Sequence, residues 1–217
     1  YKLLGDEKIN VGKVMIDGKE NAVINKLVPG IVDGLFKPNI YGLVPCNNRN
    51  PKLDNYNCNE KDPGKKDFRK SYVKGEDVLD ANITDNGDGT ITMVIQPKAA
   101  EMSMRGEDSQ GDFFEVLGDI SATVAQIDVI SFAQGTAEDN IKVTYKGGTV
   151  TCTINTKTKE ITKAEYDMVA EVAVNHANVA VIKDKSASLL IKYKNTFPAS
   201  DEVTMKARPV SYTHLTL

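Results

Sequence analysis

The chain has 217 residues, 41% hydrophobic and 26% charged, which is enough to fill the core of one large domain or two small ones. Its 27 basic and 30 acidic residues leave a net charge of −3, so no global basic field calls for nucleic acid. No apolar run is long enough to span a bilayer.

The sequence opens at Tyr1 without an initiator Met or a charged-then-apolar leader, so any signal peptide or lipid-anchor sequence belongs upstream. From Glu20 to Phe36, Ile24, Leu27, Ile31 and Leu35 fall on one helical stripe. Pro29-Gly30 interrupts it, which predicts a kink or two short helices.

Residues 37–77 hold Pro38, Pro45, Pro51 and Pro63, many Asn, and little periodicity. A loop of this length is uncommon in a compact domain. It reads as an insertion pinned by two cysteines, a partner-binding loop, or a locally disordered segment. Cys46 and Cys58 would close a short loop if bridged, which suits an oxidising compartment; the alternative is two free thiols. The same stretch carries Lys61, Lys65, Lys66, Arg69, Lys70 and Lys74, with Phe68 and Tyr72 among them. Such a run could touch anionic wall polymers or a lipid surface. Asp62 and Asp67 dilute it, so a plain solvated loop is the competing reading.

Strand signals follow. Leu79, Ala81 and Ile83 alternate with Asp80, Asn82 and Thr84, and Ile91, Met93 and Ile95 alternate beyond Asp85-Asn86-Gly87-Asp88-Gly89. That predicts a hairpin with one apolar face. The acidic turn is no EF-hand. Its spacing would put Thr84 at the first ligand position and Ile95 at the twelfth, where a bidentate Glu is needed.

Phe113, Val116, Leu117, Ile120, Val124 and Ile127 keep helical spacing, with Ser109 and Asp112 placed like a capping box. The acids Glu107, Asp108, Asp112, Glu115 and Asp119 could attract a divalent cation, but they read better as a solvated face that complements the helix dipole.

A meander comes next. Ile141, Val143 and Tyr145 alternate, Lys146-Gly147-Gly148 is read as a turn, and Val150, Cys152 and Ile154 return. Cys152 shares that apolar phase and is expected to be a buried, inert thiol. A strand from Ala164 to about Val174, roughly 36 Å long, puts Tyr166, Met168, Ala170, Val172 and Val174 on one face and Glu165, Asp167 and Glu171 on the other. Strands of this length twist and curve. Val179 and Val181 continue the meander, and Ala187, Leu189, Ile191 and Tyr193 form its last clear strand.

The end, Val210-Ser211-Tyr212-Thr213-His214-Leu215-Thr216-Leu217, reads as the translation of a sequencing-library transposon adapter; the alternative is a native C-terminal strand. With 210–217 set aside, residues 1–209 are expected to form a single domain, and His176 is the one remaining histidine. It stands at an expected strand end or turn, where a turn role outweighs general-base catalysis. No GxSxG, P-loop, GxGxxG, HExxH or zinc-type Cys/His grouping occurs, so the sequence assigns no catalytic residue, cofactor or metal.

The runs Gly111-Asp112-Phe113-Phe114-Glu115-Val116-Leu117-Gly118-Asp119-Ile120, Asp139-Asn140-Ile141-Lys142-Val143-Thr144-Tyr145-Lys146-Gly147-Gly148 and Ile154-Asn155-Thr156-Lys157-Thr158-Lys159-Glu160-Ile161 resemble secreted or lipoprotein domains of Gram-positive commensal bacteria. By architecture, the Thr-Lys-Thr-Lys-Glu-Ile turn before a long strand resembles the half-barrel lipoprotein carriers, in which a curved sheet wraps helices and holds an acyl chain. The first resemblance implies an extracellular or surface-anchored location and brings no catalytic residues. The second implies an apolar ligand.

The expected fold is α+β. A curved antiparallel sheet packs Ile83, Ile91, Met93, Val143, Val150, Ile154, Met168, Val172, Leu189 and Ile191 against two amphipathic helices. The expected role is a non-catalytic binding or interaction domain of the cell envelope, with a polymer, lipid or protein partner. The alternatives are a carrier of a lipid or other apolar ligand held between sheet and helices and, third, a hydrolase using paired carboxylates.

Overall fold

The architecture was taken from a computed structural model, which describes residues 2–26, 28, 32, 39–45, 49–50, 71–102, 107–115, 130–179 and 181–207. In chain order the strands are β1 (Lys2–Leu3), β2 (Asp6–Val11), β3 (Met15–Ile16), β4 (Lys19–Glu20), β5 (Asn39–Ile40), β6 (Arg49–Asn50), β7 (Val78–Asp85), β8 (Thr90–Pro97), β9 (Ala100–Glu101), β10 (Phe114–Glu115), β11 (Ser131–Phe132), β12 (Ile141–Asn155), β13 (Ile161–Val179) and β14 (Ile182–Phe197). Short helices at Ala137–Asn140 and Asp201–Ala207 and a 3-10 turn at Gly75–Asp77 accompany them.

An open, curved antiparallel sheet runs in the order β4-β3-β14-β13-β12-β8-β7. β2 adds to β14, β9 to β12 and β11 to β13. Period-2 patterning builds its centre. On β13, Ala164, Tyr166, Met168 and Ala170 are buried, while Glu165, Asp167 and Glu171 point the other way. On that polar face Lys194 Nζ meets Glu165 Oε1 at 2.7 Å, and Lys146 Nζ meets Glu171 Oε2 at 2.5 Å. Exposed pairs of this kind contribute little to stability.

Several expectations change. The Lys146-Gly147-Gly148 segment is no turn, and β12 runs through it as a single strand. The register against β13 shifts between Tyr145 and Gly147, a bulge that the φ of 138° at Gly147 permits. A Cβ at Gly148 would collide with the Asp167 carbonyl oxygen, so the second glycine lets two backbones approach closely. Val181 does not continue the meander either. It sits 93% exposed at the tip between β13 and β14.

The helix expected from Phe113 does not begin there. Phe113 lies in a turn, and Phe114–Glu115 is strand β10, paired antiparallel with Asn39–Ile40. Residues 116–129 lie outside those described. No capping box forms at Ser109 and Asp112. Ser109 Oγ donates to the Lys98 carbonyl, and Asp108 Oδ1 accepts from the N–H groups of Gln110 and Gly111, an Asx turn that satisfies backbone donors locally. In the earlier segment Glu20 belongs to β4, and helical backbone is found at 24–26, 28 and 32. The buried positions are Val28 and Val32, in line with the half-buried Ile24. Leu27, Ile31 and Leu35 lie outside the described residues.

The described residues of the 37–77 stretch include paired strands. β5 pairs with β10, β6 pairs with β1, and Ile40, Tyr41 and Val44 are buried. The core is therefore sheet residues on one side and Val14, Val28, Val32, Ile40, Val44, Met102, Phe113 and Phe114 on the other. At its middle Phe114 is wedged among three tyrosines from the three long strands. Its ring lies 6.2 Å from Tyr145 and 5.9 Å from Tyr166, both edge-on, and 6.5 Å from Tyr193. Edge-to-face geometry matches the positive rim of one ring to the negative face of the next.

Candidate functional site

Of the residues singled out in the sequence, Cys46, Cys58, Lys61, Lys65, Lys66, Arg69 and Lys70 lie outside the described residues. Lys74, the last of the basic run, has its ammonium 3.7 Å from Asp112 Oδ2 and 3.9 Å from Glu76 Oε1. The exposed cation thus faces carboxylates of its own chain. Of the acidic residues, Asp119 lies outside those described. Asp108 closes its Asx turn, Asp112 is buried, and among the described residues no group of three or more His, Cys, Asp or Glu is placed to hold a metal ion.

His176 sits near the end of β13 with φ 49°, opposite Asp184 with φ 48° on β14. Its Nδ1 lies 2.8 Å from Asp184 Oδ1, and its carbonyl accepts from the Ala133 N–H. Both left-handed residues mark the irregular register at this end of the hairpin. The pair is exposed and joins two strands.

The interior polar groups serve the core. Tyr166 donates its hydroxyl to the Leu43 carbonyl at 3.2 Å, with Cys152 Sγ 3.8 Å from the same oxygen. Cys152 is a free, buried thiol, as its apolar phase predicts, and burial pushes it up to about 12. Tyr193 Oη donates to Glu7 Oε2 and accepts from Asn195 Nδ2 at 2.7 Å. Burial also raises both tyrosine hydroxyls above their ordinary range.

The sheet's β7 margin is different. The β7–β8 hairpin forms as its turn sequence predicts. Gly87 and Gly89 take positive φ, Asp85 Oδ1 accepts from the Gly87 N–H, and Asp88 Oδ1 accepts from the backbone N–H and the hydroxyl of Thr90. Those Thr90 bonds hold the Asp88 carboxyl below its ordinary range. The turn's own donors occupy the carboxylates that a calcium loop would need free.

The expected burial of Ile83 does not occur. Leu79 is 61% exposed and Ile83 63%, and β7 is exposed from Leu79 to Asp85. The alternation holds for Ala81 and Ile83, which stand opposite Ile95 and Met93, whereas Leu79 falls at the register shift between Val78 and Asp80 and has no partner in the ladder. What covers the middle of the sheet does not reach its margin. Among the described residues no strand pairs with the outer side of β7, so its backbone donors and acceptors on that side face solvent. The sequence held the signal for a strand here and none for an edge.

Compared with models of protein families, with curated proteins and with solved structures, the chain matches none.

Proposed function

We propose that the chain is a non-catalytic binding domain of the bacterial cell envelope that engages its partner through the β7 margin of the sheet. The observation that carries this reading is the exposed edge strand. Among the described residues no strand pairs with its outer side, and it carries two large exposed apolar side chains, Leu79 and Ile83. Strand addition to such an edge draws affinity from main-chain hydrogen bonds and specificity from alternate side chains. The surface location follows the resemblance to secreted and lipoprotein domains.

The rival reading, a carrier of an apolar ligand, needs a cavity of about 300 Å³ or more. The middle of the core is occupied by Phe114, Tyr145, Tyr166 and Tyr193, all fully or almost fully buried, which favours the binding domain. Native mass spectrometry of the bacterially expressed chain, followed by organic extraction, tests the choice. The expected result is a clean polypeptide mass that does not change when phospholipid or fatty acid is added. An apolar adduct that disappears on denaturation would overturn the reading in favour of carriage.

A further inference from the structure

We infer that Asn82 is a modification site, the acceptor of an N-linked glycan transferred from a lipid-pyrophosphate-linked oligosaccharide. Acceptor function at Asn82 goes beyond the proposed partner at the β7 margin and does not depend on it. Asp80-Ala81-Asn82-Ile83-Thr84 holds an Asn-x-Thr sequon without proline, and an acidic residue stands two positions ahead of the Asn. No other Asn of the chain has Ser or Thr two positions later.

A motif this short has meaning only where an enzyme reaches it. β7 is exposed from Leu79 to Asp85, so the whole motif meets solvent. Residues two apart on a strand share a face, which sets the Asn82 amide and the Thr84 hydroxyl side by side, about 7 Å apart along the chain. Among the described residues neither side chain is held by another group. Asn86, Asn140, Asn155 and Asn195, by contrast, all use their side-chain amides within the fold. Among the described residues no strand pairs with the outer side of β7, which leaves room for a transferase along it. In the transfer, Asn82 Nδ2 bonds to the anomeric carbon of the first sugar. The bond from that carbon to the phosphate oxygen breaks, the lipid pyrophosphate leaves with the electron pair, and the amide proton passes to a base of the transferase. Asp80, Asn82 and Thr84 stand on the face opposite Ala81 and Ile83, so the glycan projects over the polar side of the sheet and leaves the apolar pair uncovered.

The test incubates the full chain with a bacterial oligosaccharyltransferase, its divalent cation and a lipid-pyrophosphate-linked oligosaccharide, and follows intact mass and peptide maps. The expected result is a mass increase of one oligosaccharide, mapped to Asn82. Asn82→Gln and Thr84→Val should each abolish it, and Thr84→Ser should retain it. None of the three should change the circular dichroism spectrum, because both positions are exposed. A synthetic peptide spanning residues 78–86 serves as the fully accessible reference. A chain left unmodified while the peptide is glycosylated, failure of both, or a glycan that persists in Asn82→Gln or Thr84→Val overturns the inference.

Discussion

Replacing Phe114 with Ala tests the placement of β10 in the core. A helix beginning at Phe113 and the observed turn followed by strand make different demands on this residue. In the structure the Phe114 side chain is 1% exposed and touches the rings of Tyr145, Tyr166 and Tyr193. Truncating a buried Phe costs about 3–5 kcal/mol, through lost burial and the cavity left behind. The lost ring pairs put Phe114 at the upper part of that range, since each is worth about 0.5–1.5 kcal/mol beyond area. Total stability is about 5–15 kcal/mol for a typical domain, so a large fraction disappears. With a urea m-value of about 3 kcal/mol/M, the unfolding midpoint should fall by roughly 1.3–1.7 M at unchanged slope. Ile83→Ala, on the exposed margin, should stay within about 0.5 kcal/mol and serves as the control. A loss below about 1 kcal/mol for Phe114→Ala would show that Phe114 is not wedged between the tyrosines, and the packing derived above would be wrong.

Tyr193→Phe removes the acceptor for Asn195 Nδ2 and the donor to Glu7, and should cost about 1–3 kcal/mol by chemical denaturation. Gly148→Ala forces a Cβ against the Asp167 carbonyl oxygen and should destabilise by about 1–3 kcal/mol; a neutral result would disprove the close approach of β12 and β13 there. The folded Cys152 thiol holds its proton up to about 12, whereas the unfolded thiol ionises near 9.0. The unfolded chain therefore releases its proton first, and stability should fall as pH rises from 9 towards 12, by at most about 1.4 kcal/mol per pH unit from this group. Cys152→Ser should reduce that slope in pH-dependent urea titrations.

The parts of the fold that were legible in the sequence are those governed by period 2 with both neighbours present. On β8, β12, β13 and β14 the apolar alternation marks which side chains share a face, and the burial of Val150, Tyr166, Met168 and Ile191 follows it. The misread Gly147-Gly148 shows where local rules become ambiguous, because a glycine pair permits both a turn and a bulge. The discriminating signal was in the phase. Val143 and Tyr145 are odd-numbered, Val150 and Cys152 even-numbered, and one extra residue in an unbroken strand produces that switch. Phe113 to Ile127 kept helical spacing, yet Phe114–Glu115 pairs as a strand with Asn39–Ile40, about seventy-five positions earlier. No local pattern encodes a partner at that distance, and tertiary pairing overrides propensity in so short a segment.

The same argument explains the site. Leu79, Ala81 and Ile83 carry the alternation of a buried strand, and the turn residues Asp85 to Gly89 fix the hairpin. Alternation reports that residues share a face; it carries no information about whether anything covers that face. Coverage depends on where the strand falls in the order β14-β13-β12-β8-β7, and that order is set by pairings between distant segments. At the end of this order Leu79 and Ile83 stay exposed, and among the described residues no strand pairs with the outer side of β7. The pattern that looked like core is therefore, at this margin, the pattern of an exposed strand, and the proposed binding role rests on that exposure.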